Sequence, residues 1–177
     1  LTNNYTTSLH LDTQGTLWAG SIRGVDSIDI VAQSDKFDYR ITPVDLTKQN
    51  NAELAFHITE HSGYLWMATY RGLVVHNIER NSWQIFNRDQ GLPFDNFMSV
   101  AFDGNGNLWL GSNRGPVMIE HDSFTKALNG QANKLNVQRF SEVDGLESAQ
   151  INSVGPSMLQ ARDGSIWLAT SNGVSEV

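Results

Sequence analysis

The sequence predicts an all-β chain: a β-propeller of four-stranded antiparallel blades forming a partial ring of about four. Three observations carry that expectation. One strand-turn-strand module recurs four times, its spacing matches one blade, and no segment reads as a convincing amphipathic helix. The module tryptophans are Trp18, Trp66, Trp109 and Trp167, so successive copies stand 48, 43 and 58 residues apart. These intervals bracket the roughly 40 to 50 residues of a propeller blade repeat.

The copies run from Ser8 to Val25, Ala55 to Leu73, Ser99 to Pro116 and Ser157 to Val174. In the third, Phe97, Ser99 and Ala101 alternate with Met98, Val100 and Phe102, and most are apolar. A strand buried on both faces reads that way. The Asp12 to Gly15 and Asp103 to Gly106 stretches are turns, with glycine free to adopt positive φ. Leu-Trp follows and starts the next strand. Its indole is expected to fill space between sheets, and the Gly or Ala after it to let the neighbouring blade approach. An Arg-Gly turn then leads into Val74-Val75-His76 or Val117-Met118-Ile119, and Ser82 to Asn87 and Asn136 to Ser141 supply fourth strands. Residues Asp122 to Asn133 read as one helical turn or a long loop. The blades fall at about 1–50, 51–95, 96–150 and 151–177, the last lacking its outer strand.

A second signature lies between the modules. Phe86-Asn87-Arg88-Asp89-Gln90-Gly91-Leu92 is echoed by Phe140-Ser141-Glu142-Val143-Asp144-Gly145-Leu146. Leu1 precedes Trp18 by 17 residues, as Leu92 precedes Trp109, so Leu1 reads as the tail of a Gly-Leu turn in a longer chain. An open arc exposes a blade face and strand edges. The remaining blades of a parent ring, or self-association, are therefore expected as partners.

Composition narrows the function. A net charge of −7 argues against a nucleic-acid groove or an anionic membrane surface, which both need clustered Lys and Arg. With no cysteine, thiolate zinc sites, disulfides and thiol catalysis are excluded. No apolar run approaches the roughly 20 residues of a membrane span. The histidines His10, His57, His61, His76 and His121 show no zinc-type spacing, and Asp103 to Asn107 runs into a strand where a calcium loop would continue. No nucleophile elbow or phosphate loop is present. The sequence thus offers no catalytic residue, metal site or cofactor.

The modules resemble the two-component regulator propeller repeats, whose pattern Asp-x-x-Gly-x-Leu-Trp-x-Gly-Thr-x-x-Gly-Leu follows Asp-Gly-Leu-Pro-x-x-Asn. Asp103 to Gly115 and Asp89 to Asn96 carry the match. The resemblance is weakest over Phe37 to Asn51, where no Asp-Gly-Leu occurs, and Ala161 stands where the turn Asp is expected. It implies an extracytoplasmic, periplasmic sensory segment of a bacterial membrane receptor whose effector is a histidine kinase or a diguanylate cyclase. It also implies a small-molecule ligand, with saccharides among the candidates. Streptogramin lyases use a similar blade repeat with a His and a Glu beside magnesium, which makes a propeller lyase or hydrolase the enzymatic alternative; a protein-interaction scaffold is the third reading.

Blade order places the Gly-Leu loops and the Arg-Gly turns on one rim. That rim carries Arg23, Arg71 and Arg114, with Asn172 in the fourth blade and Tyr70, Asn113, Asp95, Asn96 and Gln150 nearby. Guanidinium suits planar anions, so the row reads as a candidate site for an anionic or acidic-sugar ligand. The row also reads as structural, each Arg pairing with a carboxylate such as Asp89 or Asp144 in an adjacent loop.

Overall fold

A computed structural model describes residues 1–33, 36–152 and 155–177. Four sheets follow one another, each an antiparallel meander in chain order. Blade 1 comprises β1 (Thr6–Leu11), β2 (Thr16–Ser21), β3 (Gly24–Gln33) and β4 (Lys36–Pro43). Blade 2 comprises β5 (Ala55–His61), β6 (Tyr64–Thr69), β7 (Gly72–Asn77) and β8 (Ser82–Phe86). Blade 3 comprises β9 (Ser99–Phe102), β10 (Leu108–Gly111), β11 (Val117–Ile119) and β12 (Val137–Arg139). Blade 4 shows three strands, β13 (Met158–Gln160), β14 (Ile166–Thr170) and β15 (Gly173–Glu176). The first strands lie side by side, β1 against β5, β5 against β9 and β9 against β13, so each is the inner strand of its blade.

Blades meet through their second strands. Trp18 packs with Ile58, Met67 and Val74 of blade 2. Trp66 stacks edge-on against Phe102 of blade 3 at 5.2 Å, and Trp109 packs with Ile151, Met158, Ile166 and Leu168 of blade 4. Burying an indole removes roughly 150–250 Å² from water, about 5 kcal/mol as an upper bound. The residue two positions after the tryptophan sets how near the next blade comes. A Cβ on Gly111 would stand 2.8 Å from Met158 Sδ and 3.0 Å from Ile151 Cγ2, so a larger residue there would push these blade 4 side chains back.

The indole nitrogen explains the turn aspartate. Trp18 Nε1 donates to Asp12 Oδ2 at 2.8 Å, and Trp109 Nε1 donates to Asp103 Oδ2 at 2.9 Å. The other oxygen of each carboxylate accepts backbone amides of its own turn, so one side chain closes the turn and satisfies a buried donor. Burial works against the Asp103 charge, but the bonds from Trp109, Asn107 and Asn105 outweigh it and hold its pKa below the ordinary value. In blade 2 the carbonyl of His61 accepts from Trp66 Nε1 instead, at 3.1 Å.

Inner strands are tied by side chains. Ile58 N–H donates to Ser8 Oγ at 3.0 Å, and Val100 N–H donates to His57 Nδ1 at 3.2 Å. The second bond requires a bare Nδ1, so His57 is neutral with its proton on Nε2. Glu60 accepts from Thr13 N and Oγ1 at 2.8 and 2.7 Å and lies 3.8 Å from His10 Nε2, which clamps blade 2 to the first turn of blade 1.

Three expectations need correction or refinement. Trp167 is not core: it is 41% exposed, against 6%, 1% and 6% for Trp18, Trp66 and Trp109. Its face has no adjoining blade among the described residues, and with Ala161 in place of the turn Asp its nitrogen has no carboxylate partner there. Residues His121–Leu128 form a two-turn helix, α1, rather than one turn or a loop. Phe124, Ala127 and Leu128 turn one face to the core, where Phe124 meets Trp66 at 5.3 Å, while Asp122 and Lys126 stand at the ends the helix dipole favours. Over the segment without Asp-Gly-Leu the same turn still forms. Thr47–Gln49 makes one 3-10 turn and Asn50 takes the left-handed conformation (φ 56°) that Gly91 and Gly145 take after Arg88–Gln90 and Glu142–Asp144. Asparagine tolerates that region, so the turn survives the loss of its glycine.

Trp109→Ala is expected to cost about 3–5 kcal/mol in chemical denaturation, and Trp167→Ala under about 1 kcal/mol. Similar losses at both positions would contradict the end-face placement of Trp167.

Acid should loosen the joints. Burial holds His57, His61 and His76 below 6.5, reinforced at His57 by His10 and at His61 by His121. Below 6.5 the unfolded chain then binds more protons than the fold, so stability present at neutral pH is lost as pH falls. Melting temperature is expected to decline from about pH 7 to pH 5, and His57→Gln, which keeps an acceptor for Val100, to flatten that slope. Equal slopes in both proteins would rule out His57 as a contributor.

Candidate functional site

One hydroxyl-closed turn recurs between the second and third strands of every blade. Ser21 Oγ donates to Gly24 O at 2.9 Å and accepts from Arg23 N at 3.2 Å. Thr69 holds Arg71 and Gly72 at 3.1 and 2.7 Å, Ser112 holds Arg114 and Gly115 at 2.9 and 2.8 Å, and Thr170 holds Asn172 and Gly173 at 3.3 and 3.1 Å. The glycine has positive φ, and at Gly72 and Gly115 a Cβ would strike the carbonyls of Phe86 and Phe140. The turn therefore presents its Arg or Asn at a fixed place on the rim of each blade, the placement the sequence predicts.

The rim holds two adjoining clefts. The first, about 410 Å³, is lined by Tyr70 and Arg71 of blade 2, by Asn113 and Arg114 of blade 3, and by Arg88, Phe94, Asp95 and Asn96 of the loop between them. Five residues singled out from sequence thus meet here: Tyr70, Arg71, Asn96, Asn113 and Arg114. Arg23 and Asn172 line neither cleft. Arg23 is exposed on blade 1, and Asn172 Nδ2 donates to Glu147 O at 3.4 Å on blade 4. The second cleft, about 590 Å³, shares Arg71, Arg88 and Asp95 with the first and extends to Asn50, Asn51, Asn87 and Asp89.

Arg88 and Phe94 escape sequence reading because they do not repeat: Arg88 stands where the other turns have Glu142 and Thr47. The loop holding them is rigid. Asn87 and Gln90 form a reciprocal capping box, and Arg88 N donates to Asp95 Oδ1 at 3.1 Å. The Arg139 guanidinium lies over the Phe94 ring, 5.6 Å from its centroid.

Charge in the first cleft is unbalanced. Three guanidiniums, those of Arg71, Arg88 and Arg114, face one carboxylate, Asp95. Among the described residues none of these guanidiniums makes an ion pair within 4.0 Å or a side-chain hydrogen bond, so the expected pairing with Asp89 or Asp144 does not form. Asn96 Oδ1 is buried without a donor. The cleft therefore presents free planar donors, the exposed carboxamide of Asn113 and the half-exposed ring of Tyr70, while the unmet Asn96 oxygen is closed off from its surface. No cluster of three or more metal-ligating side chains occurs among the described residues.

Because these arginines hold no partner, Arg71→Ala and Arg114→Ala are each expected to change unfolding free energy by less than about 0.5 kcal/mol. A loss above about 1.5 kcal/mol would establish a blade-locking role instead.

Among known proteins, residues 91–114 match the sequence model of the two component regulator propeller family. No curated protein matches the chain. Among solved structures, the extracellular domain of the hybrid two component system BT3049 from B. thetaiotaomicron superposes with a TM-score of 0.74 at 21% identity, covering 99% of this chain and 22% of that one. The extracellular domain of the one component system BT4673 from the same organism gives 0.71 at 18% identity, again covering 99% and 22%. The chain thus spans about a fifth of the length of these structures, and at such identities the likeness is one of fold. From Gly91 to Arg114 it carries the two component regulator propeller repeat, within a run of four β-propeller blades.

Proposed function

We propose that this chain is a non-enzymatic, ligand-recognising section of the extracytoplasmic sensory propeller of a bacterial receptor, of histidine kinase or diguanylate cyclase type and facing the periplasm. The observation that carries the ligand is the first cleft, where three unpaired guanidiniums converge beside the exposed carboxamide of Asn113. Guanidinium binds carboxylate in a bidentate fork, and an exposed carboxamide takes a hydroxyl. A ligand offering both is a hydroxy acid, of which acidic saccharides are the ring-shaped class, and Tyr70 supplies a flat surface for such a ring. Support for a receptor context comes from the repeat at residues 91–114 and from the extracellular two component system domains that share the fold. The open blade 4 face, with Leu159, Trp167 and Val174 exposed around a groove of about 280 Å³, fits a further blade of the same ring.

Titration calorimetry with glucuronic acid tests this reading, with glucose as the neutral control. Glucuronic acid is expected to bind, and Arg71→Ala or Arg114→Ala to weaken it about tenfold or more at unchanged melting temperature. Arg23→Ala, outside the cleft, should have no effect. Equal affinity for glucose and glucuronic acid, or unchanged affinity in both cleft variants, would refute the assignment.

A further inference from the structure

The two clefts differ in charge although they share Arg71 and Arg88. In the first, three guanidiniums face the single carboxylate of Asp95. In the second, Arg114 is absent and Asp89 is added, so two guanidiniums face two carboxylates. The rest of the second wall is carboxamide, from Asn50, Asn51 and Asn87, the last engaged in capping its own turn. Asp89 and Asn51 hold their turns through the backbone: Asp89 N donates to Asn87 Oδ1, and Asn51 N donates to Leu46 O. Their side-chain groups make no hydrogen bond among the described residues and are free for a ligand.

Balanced charge with carboxylates and carboxamides side by side does not select an anion. It suits neighbouring hydroxyls, since each acid oxygen accepts from one hydroxyl while an amide N–H donates to the next. The trough is therefore polar along its length, with an anion end over Arg114 and a neutral hydrogen-bonding end over Asn51 and Asp89.

Two backbone features hold the neutral end in shape. Asn50 and Asn51 are consecutive left-handed residues, at φ 56° and 51°. Ala52 behind them is fully buried in the core between blades 1 and 2 and its N–H donates to Gln49 O at 3.1 Å, so the pair cannot swing away without disturbing that core. On the opposite wall the capping box of Asn87 and Gln90 fixes Asp89.

We infer that the ligand is at least a two-unit molecule, acidic at one unit and neutral and polyhydroxylated at the other, lying across both clefts with its neutral unit against Asn50, Asn51 and Asp89. This rests on the acidic-saccharide reading of the first cleft and adds a second subsite and a direction.

The test compares glucuronic acid with a disaccharide of glucuronic acid and xylose by calorimetry, on the unaltered chain and on Asp89→Asn. The disaccharide is expected to bind about tenfold more tightly than the monosaccharide. In Asp89→Asn that advantage should fall below about twofold while affinity for glucuronic acid is retained. Asn51→Gly, which preserves the left-handed backbone, should act in the same direction and guards against a folding defect in the first variant. Equal affinity of the two sugars, or an equal loss for both in Asp89→Asn, would overturn the second subsite and leave the first cleft standing. Failure of both acids to bind would overturn the acidic-ligand reading and the second subsite with it.

Discussion

Everything in this chain depends on indoles reaching across blade boundaries. A short four-stranded meander cannot bury its own apolar faces, and each joint here closes one blade's face with the next blade. Trp18, Trp66 and Trp109 each leave their own sheet to pack into the neighbour, and the small residue two positions on lets the backbones close around them. Because an indole nitrogen cannot be buried bare, the turn aspartate becomes part of the core: Asp12 and Asp103 bind both their turn and their tryptophan. Blade 4 has no further blade against it among the described residues, and there Trp167 is exposed and the turn carries Ala161.

Between inner strands the constraint is different. Adjacent inner strands are neighbours but are not paired as one continuous sheet, so side chains take up backbone donors there. Ser8 and His57 accept amides of Ile58 and Val100, and Glu60 closes the Thr13 turn from the next blade. The His57 tie needs a neutral imidazole, which links cohesion of the arc to pH through that joint.

The rim separates scaffold from chemistry. The hydroxyl-closed turn repeats on all four blades and carries Arg, Arg, Arg and Asn to equivalent places, and two of them, Arg71 and Arg114, line one cleft with the loop of Arg88 to Asn96. The repeat delivers the backbone, and residues that break the repeat deliver the difference. Arg88 adds charge to one cleft, while Asn50, Asn51 and Asp89 neutralise the other.

The sequence by itself determined the blade, because a tryptophan after an Asp-x-x-Gly turn and an Arg-Gly turn after it are local patterns with local physical causes. It also placed Tyr70, Arg71, Asn96, Asn113 and Arg114 on one rim, since strand order assigns turns to faces. Tertiary structure decided what pattern does not encode. Whether Trp167 is core depends on the presence of a neighbour, and the tryptophan itself is the same in either case. Whether the arginines are paired depends on side-chain distances between loops far apart in sequence. The helix at His121–Leu128 is stabilised chiefly by Phe124 docking on Trp66 and Phe102, a contact made with the preceding blade as well as its own, so its short local pattern reads as little more than a turn. The turn at Thr47–Asn50 forms without its glycine because an asparagine accepts the left-handed backbone that the joint between blades demands.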